Sequence, residues 1–145
     1  MERFVVAGAL VLVAVAVAFI LERRRSDAPT QGAPRSYAVP QQVDRTDFDR
    51  PDAEWLVAVF TSVTCDSCAK ALEVAGPLAS DRVAVVEVEA IARADLHQRY
   101  RIEAVPTLVI ADGAGVVQGS FVGPPNATEL WAAVAALRDA AEPGD

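Results

Sequence analysis

The chain's two cysteines, Cys65 and Cys68, stand three residues apart where an apolar run, residues 56–60, meets a helical pattern. On one helical turn this spacing puts both side chains on one face, with alpha carbons in the roughly 4.4–6.8 Å range that a disulfide needs. We predict a helix that begins near Cys65, where free backbone N–H groups and the positive end of the dipole favour the thiolate. The pattern indicates a reversible disulfide with Cys65 as nucleophile and Cys68 as resolving thiol.

The residues around the cysteines predict a small α/β domain with the element order βαβαββα. Strands are predicted at residues 55–60, 83–88, 107–111 and 116–122. Helices are predicted at residues 69–78, 92–101 and from a cap at Asn126 onward. The helix-length connection makes the first two strands a parallel pair, whereas a short turn makes the last two an antiparallel hairpin. About 100 residues are enough for a domain of this kind to have its own core.

An apolar segment, residues 4–21, lies near the start of the chain and contains no polar side chain. At about 1.5 Å per residue it reaches roughly 27 Å, close to the ~30 Å core of a bilayer. Arginines follow it, rather than the small residues of a signal-peptide cleavage site. We therefore predict a single-pass transmembrane helix with its Arg flank over residues 1–25. A flexible linker with three prolines follows over 26–42, and the folded domain over 43–145.

Charge is divided unevenly along the chain. Arg23, Arg24 and Arg25 follow the apolar segment, against Arg3 before it, and this bias favours a cytoplasmic domain at the cell membrane. An extracytoplasmic domain is the alternative. Residues 43–145 contain eight Lys or Arg and seventeen acidic residues, a balance that argues against nucleic-acid binding.

Three features in order along the chain resemble the thioredoxin family. Cys65-Asp66-Ser67-Cys68 follows the first core strand, Val105-Pro106-Thr107 opens the hairpin, and Val122-Gly123 leads into the last helix. The similarity covers roughly residues 43–140. It implies a thioredoxin-like fold: a central mixed sheet built from a βαβ unit, a β-hairpin and a C-terminal helix, with helices on both faces. The anchor makes the chain similar to membrane-tethered thioredoxin-like proteins of bacteria.

The resemblance also implies an activity and a set of site residues. Cys65 and Cys68 would be the catalytic pair of a thiol–disulfide oxidoreductase, with protein disulfides or dithiols as substrates and a reductase as electron donor. Pro106 would follow a cis peptide bond and lie against the cysteines. The backbone of Val105 would receive an extended substrate segment, much as a sheet edge accepts a strand. Thr107 and Gly123 complete the implied substrate-binding set, and no cofactor or metal is implied.

The chain departs from the family pattern at several positions. The family usually has Trp-Cys-Gly-Pro-Cys, but Thr64 replaces the tryptophan and Asp66-Ser67 replace Gly-Pro. Val59 stands where the family has a buried carboxylate that accepts a proton from the second cysteine. Asp66 would oppose thiolate formation at the cysteine pair, whereas Lys70 would favour it.

Two other functions compete with disulfide exchange. A Cys-X-X-Cys pair is half of a zinc site, and two thiolates also suit Cu(I), so metal handling is one alternative. The remaining strong ligand, His97, falls in a polar helix where a solvated histidine is more common. The other alternative is a non-catalytic binding or scaffold module, because fold alone does not determine function.

Overall fold

The structure, a computed structural model, describes residues 37–142. Its strands are β1 (Trp55–Thr61), β2 (Val83–Glu89), β3 (Thr107–Asp112) and β4 (Val117–Val122). Its α-helices are α1 (Cys68–Ala75), α2 (Ala94–Arg99) and α3 (Ala127–Ala141). Two short 3-10 helices, Arg45–Asp47 and Gly76–Leu78, precede β1 and follow α1. The predicted order βαβαββα is confirmed.

The four strands form one mixed sheet in the order β2-β1-β3-β4. β1 pairs with β2 in parallel, whereas β3 runs antiparallel to both β1 and β4. The register places Phe60 opposite Thr107, and Thr107 opposite Val122. β1 and β2 therefore finish where β3 begins, and we call this the cysteine end of the sheet. The hairpin turn after Asp112 lies at the other end.

Every residue of β1 is buried, because helices cover both faces of the sheet. One face packs Leu56, Ala58 and Phe60 with Leu96 of α2. The other face packs the alternate β1 residues with α1 and α3. This explains why the first strand is a continuous apolar run rather than an alternating one.

The first two helices are shorter than the sequence predicts. α1 begins at Cys68 rather than near Cys65, with Ser67 as its N-cap residue. Gly76-Pro77 end this helix in a 3-10 turn. α2 spans six residues instead of ten, and the chain leaves it through Arg101, whose φ of 51° is left-handed.

The last helix follows its predicted start. The Asn126 side chain accepts a hydrogen bond from the Glu129 N–H at 2.8 Å, as expected for an N-cap. Leu130 and Val134 are buried on one face. Trp131 remains 44% exposed, and its indole N–H donates to the Val74 carbonyl at 2.9 Å, which ties α3 to α1.

The predicted transmembrane helix and most of the predicted linker lie outside the described residues. Within residues 37–142, no helix combines the length and the apolar character needed to cross a bilayer. Val39 packs against the core, and hydrogen bonds to the sheet begin at Gln41, whose carbonyl accepts the Val117 N–H at 3.0 Å.

Candidate active site

Cys65 and Cys68 form a disulfide at the cysteine end of the sheet, with their alpha carbons 5.5 Å apart. This separation lies in the range predicted from their spacing. The two cysteines differ in burial: Cys65 is half-buried, whereas Cys68 is only 3% exposed. A thiolate from another molecule can therefore approach the sulfur of Cys65 but not that of Cys68.

The prediction that Cys65 lies at the helix N-terminus is wrong. Two consecutive turns precede the helix: the Cys65 N–H donates to the Ser62 carbonyl at 3.1 Å, and the Cys68 N–H donates to the Cys65 carbonyl at 3.2 Å. These turns place Cys65 three residues before the first helical residue, which is Cys68. Cys65 therefore belongs to the loop before α1, and its side chain is half-buried there.

Ser67 contacts the sulfur of Cys65, a contact that the sequence analysis missed. Its Oγ lies 3.7 Å from the Cys65 Sγ. Because a disulfide sulfur has no hydrogen, the hydroxyl is the donor. Ser67 makes no side-chain capping bond to α1, although serine before a helix commonly does. Its position two residues after a cysteine was the available signal.

Glu89, at the end of β2, connects two loops at the cysteine end, and this role was also missed. One carboxylate oxygen accepts the Val63 N–H at 3.3 Å, and the other accepts the N–H groups of Ile91 at 2.8 Å and Ala92 at 2.9 Å. These bonds, of which the one from Ala92 has the largest effect, hold the pKa of Glu89 below its usual value. The loop before Cys65 is thus fixed to the loop after β2.

The proline loop lies at the same end of the sheet. The Val105–Pro106 peptide bond is cis, as the resemblance implied. The Pro106 carbonyl accepts the Gly123 N–H at 2.8 Å, so the structure brings Pro106 and Gly123 together. Gly123 has a φ of 94°, which favours glycine. The Thr107 hydroxyl is buried and donates to the Ala104 carbonyl at 2.8 Å, which closes the loop.

Val59, Lys70 and His97, which the sequence also brought into question, each have a structural role. Val59 is fully buried in the apolar cluster beneath α1. Lys70 pairs with Glu73 at 3.1 Å on the exposed side of α1. The His97 ring packs edge-on against Phe60, with Nε2 2.8 Å from the Val88 carbonyl. Between residues 37 and 142, no three His, Cys, Asp or Glu side chains cluster closely enough to hold a metal ion.

Solved thioredoxin structures share this fold. The thioredoxin Deadhead of Drosophila melanogaster superposes with a TM-score of 0.55 at 21% identity, covering 70% of this chain and 99% of its own. A mutant thioredoxin of Halobacterium salinarum gives 0.52 at 24% identity, covering 65% and 88%. Mitochondrial thioredoxin 3 of Saccharomyces cerevisiae, in its oxidised form, gives 0.51 at 23% identity, covering 59% and 81%.

No family model and no curated protein matches the sequence. The structural likeness therefore rests on the arrangement of strands and helices, and at these identities it establishes the fold. The described part of this chain adopts the thioredoxin fold, with its cysteine pair and its cis-proline loop at the same end of the sheet.

Proposed function

We propose that this protein is a thiol–disulfide oxidoreductase that exchanges disulfides with protein substrates through Cys65 and Cys68. The observation that carries the proposal is the difference in burial between the two cysteines of the disulfide: Cys65 is accessible, and Cys68 is not. Exchange proceeds by attack of a thiolate on a disulfide sulfur, so access determines which sulfur reacts with the substrate.

The reaction takes place in two balanced steps. In the reduced protein, the Cys65 thiolate attacks a substrate disulfide, forms a mixed disulfide and releases one substrate thiolate. The Cys68 thiolate then attacks the Cys65 sulfur, which closes the Cys65–Cys68 disulfide and releases the second substrate thiolate. Two electrons pass from the protein dithiol to the substrate. A reductase is required to restore the dithiol, and the reverse sequence oxidises a substrate dithiol.

The proline loop supplies a place for the substrate backbone. Within residues 37–142, neither the N–H nor the carbonyl of Val105 makes a hydrogen bond. Val105 lies in a bend two residues before the sheet ladder, which begins at Thr107. An extended substrate segment can pair with these two free groups, as a strand pairs with a sheet edge.

The proposal includes the membrane. Residues 4–21 would anchor the protein, and the arginines that follow them favour a cytoplasmic domain that donates electrons in a reducing compartment. Labelling of intact cells with a membrane-impermeant thiol reagent tests this orientation. Cytoplasmic cysteines in reduced samples are labelled only after lysis, whereas labelling before lysis would place the domain outside.

The activity is tested with the reduced full-length chain in detergent and insulin as the disulfide substrate. Wild type should reduce insulin when a chemical reductant recycles it, and Cys65→Ser should not. Cys68→Ser should accumulate a mixed disulfide with the substrate that dithiothreitol releases. Reduction of insulin by Cys65→Ser at the wild-type rate would refute the proposal. A wild-type protein that has two titratable thiols but does not reduce insulin, as expected of a scaffold, would also refute the proposal. The same holds for a wild-type protein that binds stoichiometric Cu(I) and does not reduce insulin.

A further inference from the structure

Two aliphatic side chains project into solvent beside the cysteine pair. Val63 is 72% exposed and Ile91 is 75% exposed, against 40–44% for the other exposed large apolar side chains in the described residues. Val63 follows β1 and Ile91 follows β2. Because these strands are parallel neighbours, with Thr61 opposite Glu89, the two loops leave the sheet side by side.

One carboxylate holds both loops in place. Glu89 accepts the backbone N–H groups of Val63 and Ile91 on its two oxygens. The Ala90 N–H adds a further tie, donating to the Thr61 carbonyl at 2.9 Å. The two side chains are therefore presented from fixed backbone positions, so a ligand that covers them does not have to order the loops first.

The two exposed side chains lie close to the cysteine that would bind the substrate. Val63 lies two residues before Cys65, the cysteine that is accessible from outside. A polypeptide joined to the Cys65 sulfur must pass close to this loop. Apolar side chains that remain exposed next to such a junction gain free energy when a substrate side chain covers them.

We propose that Val63 and Ile91 form an apolar subsite that receives a large aliphatic or aromatic side chain next to the reactive cysteine of the substrate. Glu89 is the positioning residue of this subsite. The inference rests on the proposed disulfide exchange and adds a substrate class to it: disulfides flanked by large apolar residues.

The test compares two short peptides, each carrying one cysteine as a mixed disulfide with 2-thiopyridine. One peptide has leucine on both sides of the cysteine, and the other has alanine. Attack of Cys65 on the peptide sulfur releases pyridine-2-thione, whose absorbance gives the second-order rate with the reduced full-length chain. The leucine peptide should react about five- to tenfold faster, the factor expected for burial of part of a leucine side chain.

Variants assign this preference to the subsite. The double substitution Val63→Ser with Ile91→Ser should reduce the preference to less than about twofold, and Glu89→Gln should reduce it in part. Val116→Ser is the matched control, since Val116 is 40% exposed at the hairpin turn, and it should retain the full preference. For Glu89→Gln the readout is the ratio of the leucine and alanine peptide rates, because this ratio cancels any general change in the reactivity of Cys65.

Equal rates for the two peptides would overturn the subsite, as would an undiminished preference in the double variant. The latter result is expected if the pair meets a lipid surface or a second copy of the chain instead. Dipyridyl disulfide, which has no peptide, reports the chemistry alone. If wild type reacts with it and Cys65→Ser does not, the exchange function stands even where the subsite fails.

Discussion

Removal of the Ser67 hydroxyl should change how the reactivity of Cys65 depends on pH. The hydroxyl donates to the Cys65 sulfur at 3.7 Å in the disulfide form. In the reduced protein the acceptor is an anionic thiolate, and hydrogen bonds to charged groups contribute about 1.5–3 kcal/mol. The separation is long, so we take about 1.4 kcal/mol, which corresponds to a factor of ten in an ionisation equilibrium. In Ser67→Ala, the thiolate fraction should therefore fall about tenfold at pH values where most of the thiol is protonated.

The rate should fall by less than the thiolate fraction. A more basic thiolate is a stronger nucleophile, with a Brønsted coefficient of about 0.4–0.5, so each thiolate reacts about threefold faster. Below the ionisation midpoint, Ser67→Ala should react about three- to fourfold more slowly than wild type. At alkaline pH, where both thiols are ionised, the variant should be about threefold faster. The two pH–rate curves should cross.

The assay is stopped-flow reaction of the reduced full-length chain with dipyridyl disulfide over a range of pH. Ser67→Thr retains a hydroxyl and should follow the wild-type curve. Because Ser67 makes no capping bond to α1, its replacement should leave the thermal midpoint nearly unchanged. Coincident curves for wild type and Ser67→Ala would refute the reasoning, and so would a variant that is slower by one constant factor at every pH.

Three further predictions concern stability, each measured by thermal unfolding. Hydrogen bonds, of which the one from Ala92 has the largest effect, lower the pKa of Glu89 in the folded state. The ionised carboxylate therefore stabilises the fold above its ordinary pKa of about 4.3, and this stabilisation is lost as the pH falls through the lowered pKa. The midpoint difference between wild type and Glu89→Gln should shrink from about pH 5 downward, and a constant difference would contradict this. Tyr100→Phe removes the acceptor of the Asp44 N–H, at 2.9 Å, and a donor to Asp47, and should cost about 1–3 kcal/mol. Burial raises the pKa of Tyr100 to about 12, so the wild-type advantage should disappear as pH rises from about 10 through 12, and an advantage that persists there would contradict the assignment. Gly115→Ala should destabilise by more than about 1 kcal/mol, because φ is 81° and the new Cβ would lie 2.0 Å from the Val43 carbonyl oxygen. Gly76→Ala, where the Cβ meets nothing within 4 Å, is the control and should be neutral or slightly stabilising.

The sheet was predictable because its signals are strong and local. β1 is apolar at six consecutive positions, which occurs when both faces of a strand are covered. Asn126 with Glu129 marked the start of α3 by a pattern with one common structural meaning. Helix ends were less predictable, because tertiary contacts decide them. α2 starts at Ala94 because Arg93, with φ −127° and ψ 49°, is not helical and separates α2 from a preceding turn, which the Arg93 N–H closes on the Glu89 carbonyl at 2.8 Å.

In the site, too, features with a sequence signal were predictable, and features that depend on tertiary contacts were not. The family resemblance predicted that the cysteines and the proline loop lie together, and in the structure they lie at one end of the sheet because the end of β1 pairs with the start of β3. Glu89 and Ser67 were missed because each acts through a contact that depends on loop conformation. Glutamate at a strand end is usually a solvated side chain, and serine before a helix is usually a cap, so neither residue type indicated its actual partner.

The surroundings of Cys68 constrain how the proposed second step obtains its thiolate. β1 contains no ionisable side chain and is buried throughout, with Val59 where the family resemblance implies a carboxylate. In β3, the one ionisable residue is Asp112, at the opposite end of the sheet, whereas in β2 Glu87 lies opposite Val59 and accepts a hydrogen bond from the Thr61 hydroxyl at 2.7 Å. Cys68 itself is 3% exposed, and burial disfavours the charged form of a thiol, so the proposed second step needs a base to take its proton. The proposed first step releases a substrate thiolate at the surface of the site, a base with the ordinary strength of an exposed thiolate. Proton transfer from Cys68 to this thiolate, directly or through water, costs the amount by which burial disfavours the Cys68 thiolate, so the first exchange supplies a base for the second. The proposed turnover therefore does not depend on a buried acid in β1.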